Sequence, residues 1–287
     1  MRGGFNAMVV DGLDGWHPLL NAARSALHAS DFASASASFT SLIARVQDVA
    51  ELQFAHIDGL IGRAIALIGL GDLDDALADL DHASALPAAP SMGKRPEILW
   101  HRGRLYEAKG LPNRAIADYT SALAENPQFV DVFLTRGRLL SSLGQLTQAI
   151  SDFSFALKLD PQCVDALRGR ASCWMSRASP SRHDLTRAVN DLSSVVALNP
   201  GDARALLARS HVFVAINDQH QALADYAAAV EADKTLADDD LREQIMSMQP
   251  RMAKRKSGVP MTMDGGEVKK WCSEAQPGSC DADRLRR

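Results

Sequence analysis

Apolar residues recur along this chain at helical spacing, in pairs of stripes separated by a breaker. In residues 130–163, Phe133, Leu139, Leu140 and Leu143 mark one stripe, and Ala149, Ile150, Phe153, Ala156 and Leu157 mark a second. Steps of three and four residues put such side chains on one face of an α-helix. Gly144 stands where a left-handed residue would end the first helix. Pro161 stops the second, because an interior proline loses a backbone hydrogen bond and clashes with the preceding turn. Each such unit is predicted to be a helical hairpin.

The hairpin repeats. Pro127 and Pro161 stand 34 residues apart, with Arg136-Gly137, Gly144, Ala149, Asp152-Phe153 and Ala156 between them. The same pattern recurs upstream as Arg102-Gly103, Gly110, Ala115, Asp118-Tyr119 and Ala122, and downstream as Arg209-Ser210, Asn217, Ala222, Asp225-Tyr226 and Ala229. A fixed period of this kind identifies an array whose units bury a shared core only by stacking. Extending the strong units outward gives repeats at 16–49, 57–90, 96–129, 130–163, 164–202 and 203–236, after an N-terminal extension over 1–15. Two insertions, Pro87-Ala88-Ala89-Pro90-Ser91 and Ser179-Pro180-Ser181-Arg182-His183, are expected to form longer loops.

A last apolar stripe, Leu236, Leu241, Ile245 and Met248, begins beside Asp238, Asp239 and Asp240 and predicts a capping helix over 237–249. Residues 250–287 turn polar and basic and are expected to be a disordered tail. The chain's net charge of −4 divides unevenly: residues 251–287 hold nine Lys/Arg against five Asp/Glu, which leaves −8 for 1–250. Neither balance calls for a nucleic-acid partner.

Two sets of positions vary together. Arg63, Arg102, Arg136, Arg170 and Arg209 on first helices are matched by Asp79, Asp118, Asp152, Asp191 and Asp225 on second helices. The first repeat lacks both members, with Ala22 and Ser38. The pairs are expected to form a ladder of structural ion pairs within or between hairpins, since charges beside an apolar face must be paired. Gly137 and Ala149 are expected where the helices of one hairpin approach most closely.

The pattern resembles the tetratricopeptide repeat family. Its aromatic, small, small, aromatic, small and proline positions are matched by Phe133, Gly137, Ala149, Phe153, Ala156 and Pro161. The resemblance covers most of 57–236, and covers 16–49 weakly through Phe32, Ala35 and Phe39. It implies an all-α, right-handed superhelical solenoid of about six hairpins with a C-terminal capping helix. It also implies a concave groove lined by first helices, with Trp100, His101, Arg104, Thr135, Arg138 and Arg168 on it. Such a cleft would be mildly basic, with guanidinium groups to grip carboxylates and Trp100 as an aromatic anchor. The Lys/Asn clamp by which some family members hold chaperone C-termini is not matched. Leu20, Arg24, Gly62, Glu97 and His101 stand at its positions.

The sequence carries no motif of known chemistry. There is no phosphate-binding Gly-rich loop ending in Gly-Lys-Ser/Thr, no His-Glu-x-x-His and no Gly-x-Ser-x-Gly elbow. Gly69-Leu70-Gly71 sits in a repeat turn, and the eight histidines lack metal-ligand spacing. The expectation is therefore a non-enzymatic adaptor or scaffold without cofactor or metal, binding an acidic protein or peptide segment in its groove. A structural subunit or co-chaperone-like assembly factor is the alternative. Cys163, Cys173, Cys272 and Cys280 read as reduced thiols. The most apolar window, Leu60–Leu70, is short and contains Arg63, so no membrane insertion is expected. The expected location is the cytoplasm, with Lys254-Arg255-Lys256 and Lys269-Lys270 read as an import signal, an acidic-surface contact or a solvated end.

Overall fold

The computed structural model describes residues 15–248. Chain contacts divide the molecule into Met1–Met248 and Gln249–Arg287. Residues 1–14 of the extension and the tail expected over 250–287, with its basic clusters, Trp271-Cys272 and Cys280, lie outside the described residues. Among the described residues every regular element is helical.

Six hairpins follow one another: α1 (Trp16–His28) with α2 (Phe32–Val46), α3 (Gln53–Leu70) with α4 (Leu73–Ala85), α5 (Arg95–Ala108) with α6 (Pro112–Glu125), α7 (Val130–Ser142) with α8 (Leu146–Leu159), α9 (Val164–Met175) with α10 (Arg182–Leu198), and α11 (Ala203–Ala215) with α12 (Gln219–Ala232). A cap, α13 (Asp239–Ser247), ends the stack. It sets Leu241 and Ile245 against Phe213, Ala222 and Tyr226, covering the apolar face of the sixth hairpin. This is the all-α hairpin solenoid with a capping helix expected from the period.

The first helices end as their sequence dictates. Gly71, Gly110 and Gly144 adopt φ of 90°, 70° and 75°, and Asn217 holds the same place at 59°. Asparagine is among the few side chains that tolerate this region. After Gly144 the chain closes with Gln145 N–H donating to the Leu140 carbonyl at 2.9 Å, which satisfies a carbonyl the helix end would orphan.

Small residues make room for rings. A Cβ on Gly137 would stand 3.0 Å from the Phe153 ring, and one on Gly169 of the next hairpin would stand 2.5 Å from the same ring. Phe153 is therefore clasped by two glycines, one from its own hairpin and one from its neighbour. Gly103 serves Tyr119 and Gly62 serves Phe39 in the same way. Gly137 is small because the Phe153 ring of its own hairpin's second helix packs against it.

Both insertions hold more structure than the loops expected. Ala88–Ser91 forms a helical turn with Ala89 fully buried. In the fifth hairpin Ser181 caps α10 in a reciprocal capping box with Asp184, so Arg182 and His183 open the helix and belong to it. The second hairpin begins at Gln53, ahead of residue 57 where the period places it, after a 3-10 turn over Ala50–Leu52. That extension makes Ala50–Leu70, 21 residues, long and apolar enough to cross a membrane, where the sequence window looked too short. It is a core helix of this fold, with His56, Ile57, Leu60, Ile61 and Ala64 buried.

Candidate partner-binding face

Residues two apart on a helix point about 200° apart, toward nearly opposite sides. On α5 and α7 this geometry separates Arg102 from Arg104 and Arg136 from Arg138, and on α9 it separates Arg168 from Arg170. One member of each couple faces the second helices. Arg136 grips Asp152 through Nε at 2.8 Å and Nη2 at 2.7 Å, the bidentate fork that suits guanidinium and carboxylate. Arg63–Asp79, Arg102–Asp118, Arg170–Asp191 and Arg209–Asp225 repeat this grip.

The remaining guanidinium nitrogen reaches back to the preceding hairpin. Nη1 of Arg63 donates to Thr40, of Arg136 to Thr120, of Arg170 to Ser154 and of Arg209 to Ser193, at 3.0 to 3.3 Å. Arg102 meets Asp81 instead, at 2.8 Å. The ladder therefore works both within and between hairpins. Its outer partner stands two residues after the aspartate in four of the earlier helices, as in Asp118 and Thr120 or Asp152 and Ser154, and two after Ser38 in the first hairpin. This Ser/Thr position was missed in the sequence, although its period was there to be read.

The other direction is open. Arg104 and Arg138 are exposed and make no ion pair among the described residues. Arg104 lies over the Trp100 ring at 5.3 Å, an attraction between cation and ring face. Trp100 itself is half-buried. Its Nε1 donates to Thr135 Oγ1 at 3.1 Å, Thr135 donates to the Asp131 carbonyl at 2.6 Å, and Phe129 packs 5.5 Å from the indole. Trp100 and Thr135 thus hold the third hairpin to the fourth.

His101 and Arg168 also stand differently from the expectation. His101 is 6% exposed and its Nδ1 is buried without a partner among the described residues. Burial, then the charge of Arg104, lower its pKa from 6.5 to about 4. It belongs to the seam, because residue 101 points between the directions of residues 102 and 104. Arg168 is half-exposed but pairs through Nη2 with Asp202, the cap of α11. Of the six residues expected on the groove, Arg104 and Arg138 are exposed, Arg168 and Trp100 are partly buried, and His101 and Thr135 are buried.

The same face changes character along the stack. Near its N-terminal end Asp58 receives Arg24 at 3.3 Å and Lys94 at 2.8 Å, and Lys94 also reaches Glu97 at 3.0 Å. Toward the other end a cleft of about 320 Å³ opens between α9 and α11. Arg168 and Arg204 border it, Ser172 and His211 edge it, and Ala171, Met175, Leu192, Ala205 and Ala208 make it apolar. Ser172 and His211 occupy the repeat position of Arg104 and Arg138, a signal in the period that sequence reading left unused.

Comparison with known proteins agrees with this architecture. A family model for the tetratricopeptide repeat matches residues 61–128 and 134–179. No curated protein matches the chain. Among solved structures, the C-terminal part of a TPR repeat-containing protein from Cytophaga hutchinsonii is similar over 79% of this chain and 83% of its own, at 16% identity and a TM-score of 0.59. A tetratricopeptide repeat protein from Parabacteroides merdae is similar over 80% and 85%, at 22% identity and a TM-score of 0.55. YrrB, a TPR protein with an unusual peptide-binding site, is similar over 69% and 93%, at 21% identity and a TM-score of 0.54.

Proposed function

The chain is a tetratricopeptide-repeat protein, an interaction module, and from that premise we propose that it is a non-enzymatic adaptor whose first-helix face holds an acidic segment of a partner protein. The observation that carries this reading is the pair Arg104 and Arg138, one repeat apart on one face, exposed and unpaired among the described residues. Every ladder arginine is neutralised, so these two leave charge for a partner. A peptide-binding site in YrrB, a structural neighbour, supports a peptide as the ligand. A reducing compartment such as the cytoplasm suits Cys163 and Cys173, both free thiols.

The test is a titration with acidic peptides selected on the intact chain from a random library. Replacing Arg104 and Arg138 with Glu is expected to weaken binding by about a hundredfold or more, from loss of attraction and gain of repulsion. Helical content should not change. Binding should also weaken as salt rises. Unchanged affinity in the double variant would reject the basic face.

A second reading rests on Phe155, Leu159 and Leu198, exposed apolar residues on second helices. Exposed apolar side chains suit a fixed place in a larger assembly. It predicts that Phe155→Glu with Leu159→Glu disrupts co-purification of that assembly while Arg104→Glu does not.

A further inference from the structure

We infer that the cleft between α9 and α11 is an anchor pocket for a partner segment in which a carboxylate side chain stands beside an aliphatic one. The inference rests on the adaptor reading above and narrows it to one place and one ligand chemistry. The cleft's volume of about 320 Å³ is near the lower end for ligand sites, which run from about 300 Å³. It suits a pair of side chains.

Its lining sets the ligand's polarity. Two arginines border the cleft and no carboxylate lines it. Arg204 is exposed and makes no hydrogen bond or ion pair among the described residues. Arg168 shares Nη2 with Asp202, yet its Nε is buried without an acceptor among the described residues, so its donors are not all satisfied. Between the arginines lie Met175 and Ala208 with other apolar side chains. Methionine adapts its shape to an aliphatic guest at little cost.

A second region of the same face shows what a closed stretch looks like. Arg24 and Lys94 are already committed to Asp58, and Lys94 to Glu97. A partner carboxylate arriving there must displace a carboxylate of the protein. At Arg204 no carboxylate stands within ion-pair distance among the described residues, Asp233 acting on it only from farther off, and the guanidinium can take an incoming carboxylate through two parallel hydrogen bonds. The electrostatic complement of this cleft is therefore an anion, and its apolar floor asks for an aliphatic neighbour to that anion.

The experiment labels methionine methyl groups with carbon-13 in the full chain and assigns the Met175 signal by Met175→Leu. Three short Gly/Ser peptides are titrated, with central Glu-Leu, Lys-Leu or Glu-Ser. The Glu-Leu peptide should shift the Met175 methyl signal saturably, and the other two should bind at least about tenfold more weakly. Arg204→Glu should abolish the shift. Arg104→Glu with Arg138→Glu should leave it, since so short a peptide stays in the cleft. Equal shifts from Glu-Leu and Lys-Leu would overturn the anionic complement. If a long acidic segment binds through Arg104 and Arg138 while Met175 never responds, the cleft falls and the adaptor reading stands. If Met175 responds but the Arg104 and Arg138 variant binds long segments normally, the cleft stands and that arginine pair falls. No binding by any acidic peptide overturns both.

Discussion

Arg102 and Arg104 stand two residues apart on one helix, as do Arg136 and Arg138 on the next, and their environments are opposite. Arg102 and Arg136 are held in forks by Asp118 and Asp152 and tied to the preceding hairpin. Arg104 and Arg138 are exposed on the other side. Charge alone therefore does not distinguish an arginine used within the fold from one left open to solvent; the direction of its Cβ does. The difference also shows in repetition. The fork recurs in five hairpins with the same donors and acceptors. The open position carries Arg104, Arg138, Ser172 and His211 in successive hairpins. A solution to packing is the same wherever the packing is the same, whereas a surface that reads a partner has to vary along its length.

The largest effect should come from breaking a fork from the carboxylate side. The side chain of Asp152 is 5% exposed and that of Arg136 is 18% exposed. Asp152→Ala strands a largely desolvated guanidinium, a change that costs roughly 3–5 kcal/mol for buried pairs. Urea unfolding followed by circular dichroism measures it. Arg138→Ala, on the same helix as Arg136, should cost no more than ~0.5 kcal/mol, as surface changes do. Equal losses in the two variants would erase the distinction between the directions.

His101 lies between those directions, and acid should expose its position. At neutral pH its imidazole is neutral when folded. The unfolded chain takes up a proton near the ordinary pKa of 6.5, while the folded chain resists until about 4. Unfolding therefore binds a proton between those values, and stability falls as pH drops through that window. The loss reaches on the order of 3 kcal/mol by its acid end. His56 is also buried and its pKa is lowered by burial, so it adds a slope of the same sign. His101→Phe removes one titrating group at similar size and should flatten the decline measured by urea unfolding across the window. A variant that keeps the full slope would place His101 in contact with water, on the open side.

Much of this was legible in the chain. The hairpins, the glycine caps and the Arg–Asp pairs followed from periodicity, because each depends on contacts that repeat with the unit. Tyr119, Phe153 and their facing glycines were visible as aromatic and small positions, but which glycine meets which ring was not. Gly169 on α9 reaches back to Phe153 on α8, and that depends on the angle between neighbouring hairpins, which no single unit encodes. The same limit misplaced His101 and Thr135. The period fixed their position in the repeat, but Thr135 meets Trp100 of the preceding unit, and His101 is buried in the seam between the directions of Arg102 and Arg104. Arg168 differed for a local reason: Asp202, which caps the following first helix, also lies within its reach. The cleft beside it is a property of two stacked helices and two bordering arginines, without any motif of its own.

The smallest effect tests the ladder's outer contact. Ser154 accepts a hydrogen bond from Arg136's counterpart on the next hairpin, Arg170 Nη1, at 3.1 Å. Its own hydroxyl hydrogen goes to the Ile150 carbonyl at 2.7 Å. Ser154→Ala removes the acceptor but leaves the Arg170–Asp191 fork intact, so the charge stays paired and the cost is that of one hydrogen bond to a charged donor. That is roughly 1–2 kcal/mol, discounted because Arg170 is partly solvated and water can replace the hydroxyl. Ser172→Ala, on the open face one hairpin along, removes a hydroxyl with no such role and should be neutral within about 0.5 kcal/mol. Because Ser154 joins two hairpins, its loss should also lower cooperativity, seen as a shallower urea transition, where Ser172→Ala leaves the slope unchanged. Identical behaviour of the two serine variants would mean that the forks alone hold neighbouring hairpins in line, with the reach to the preceding hairpin contributing nothing.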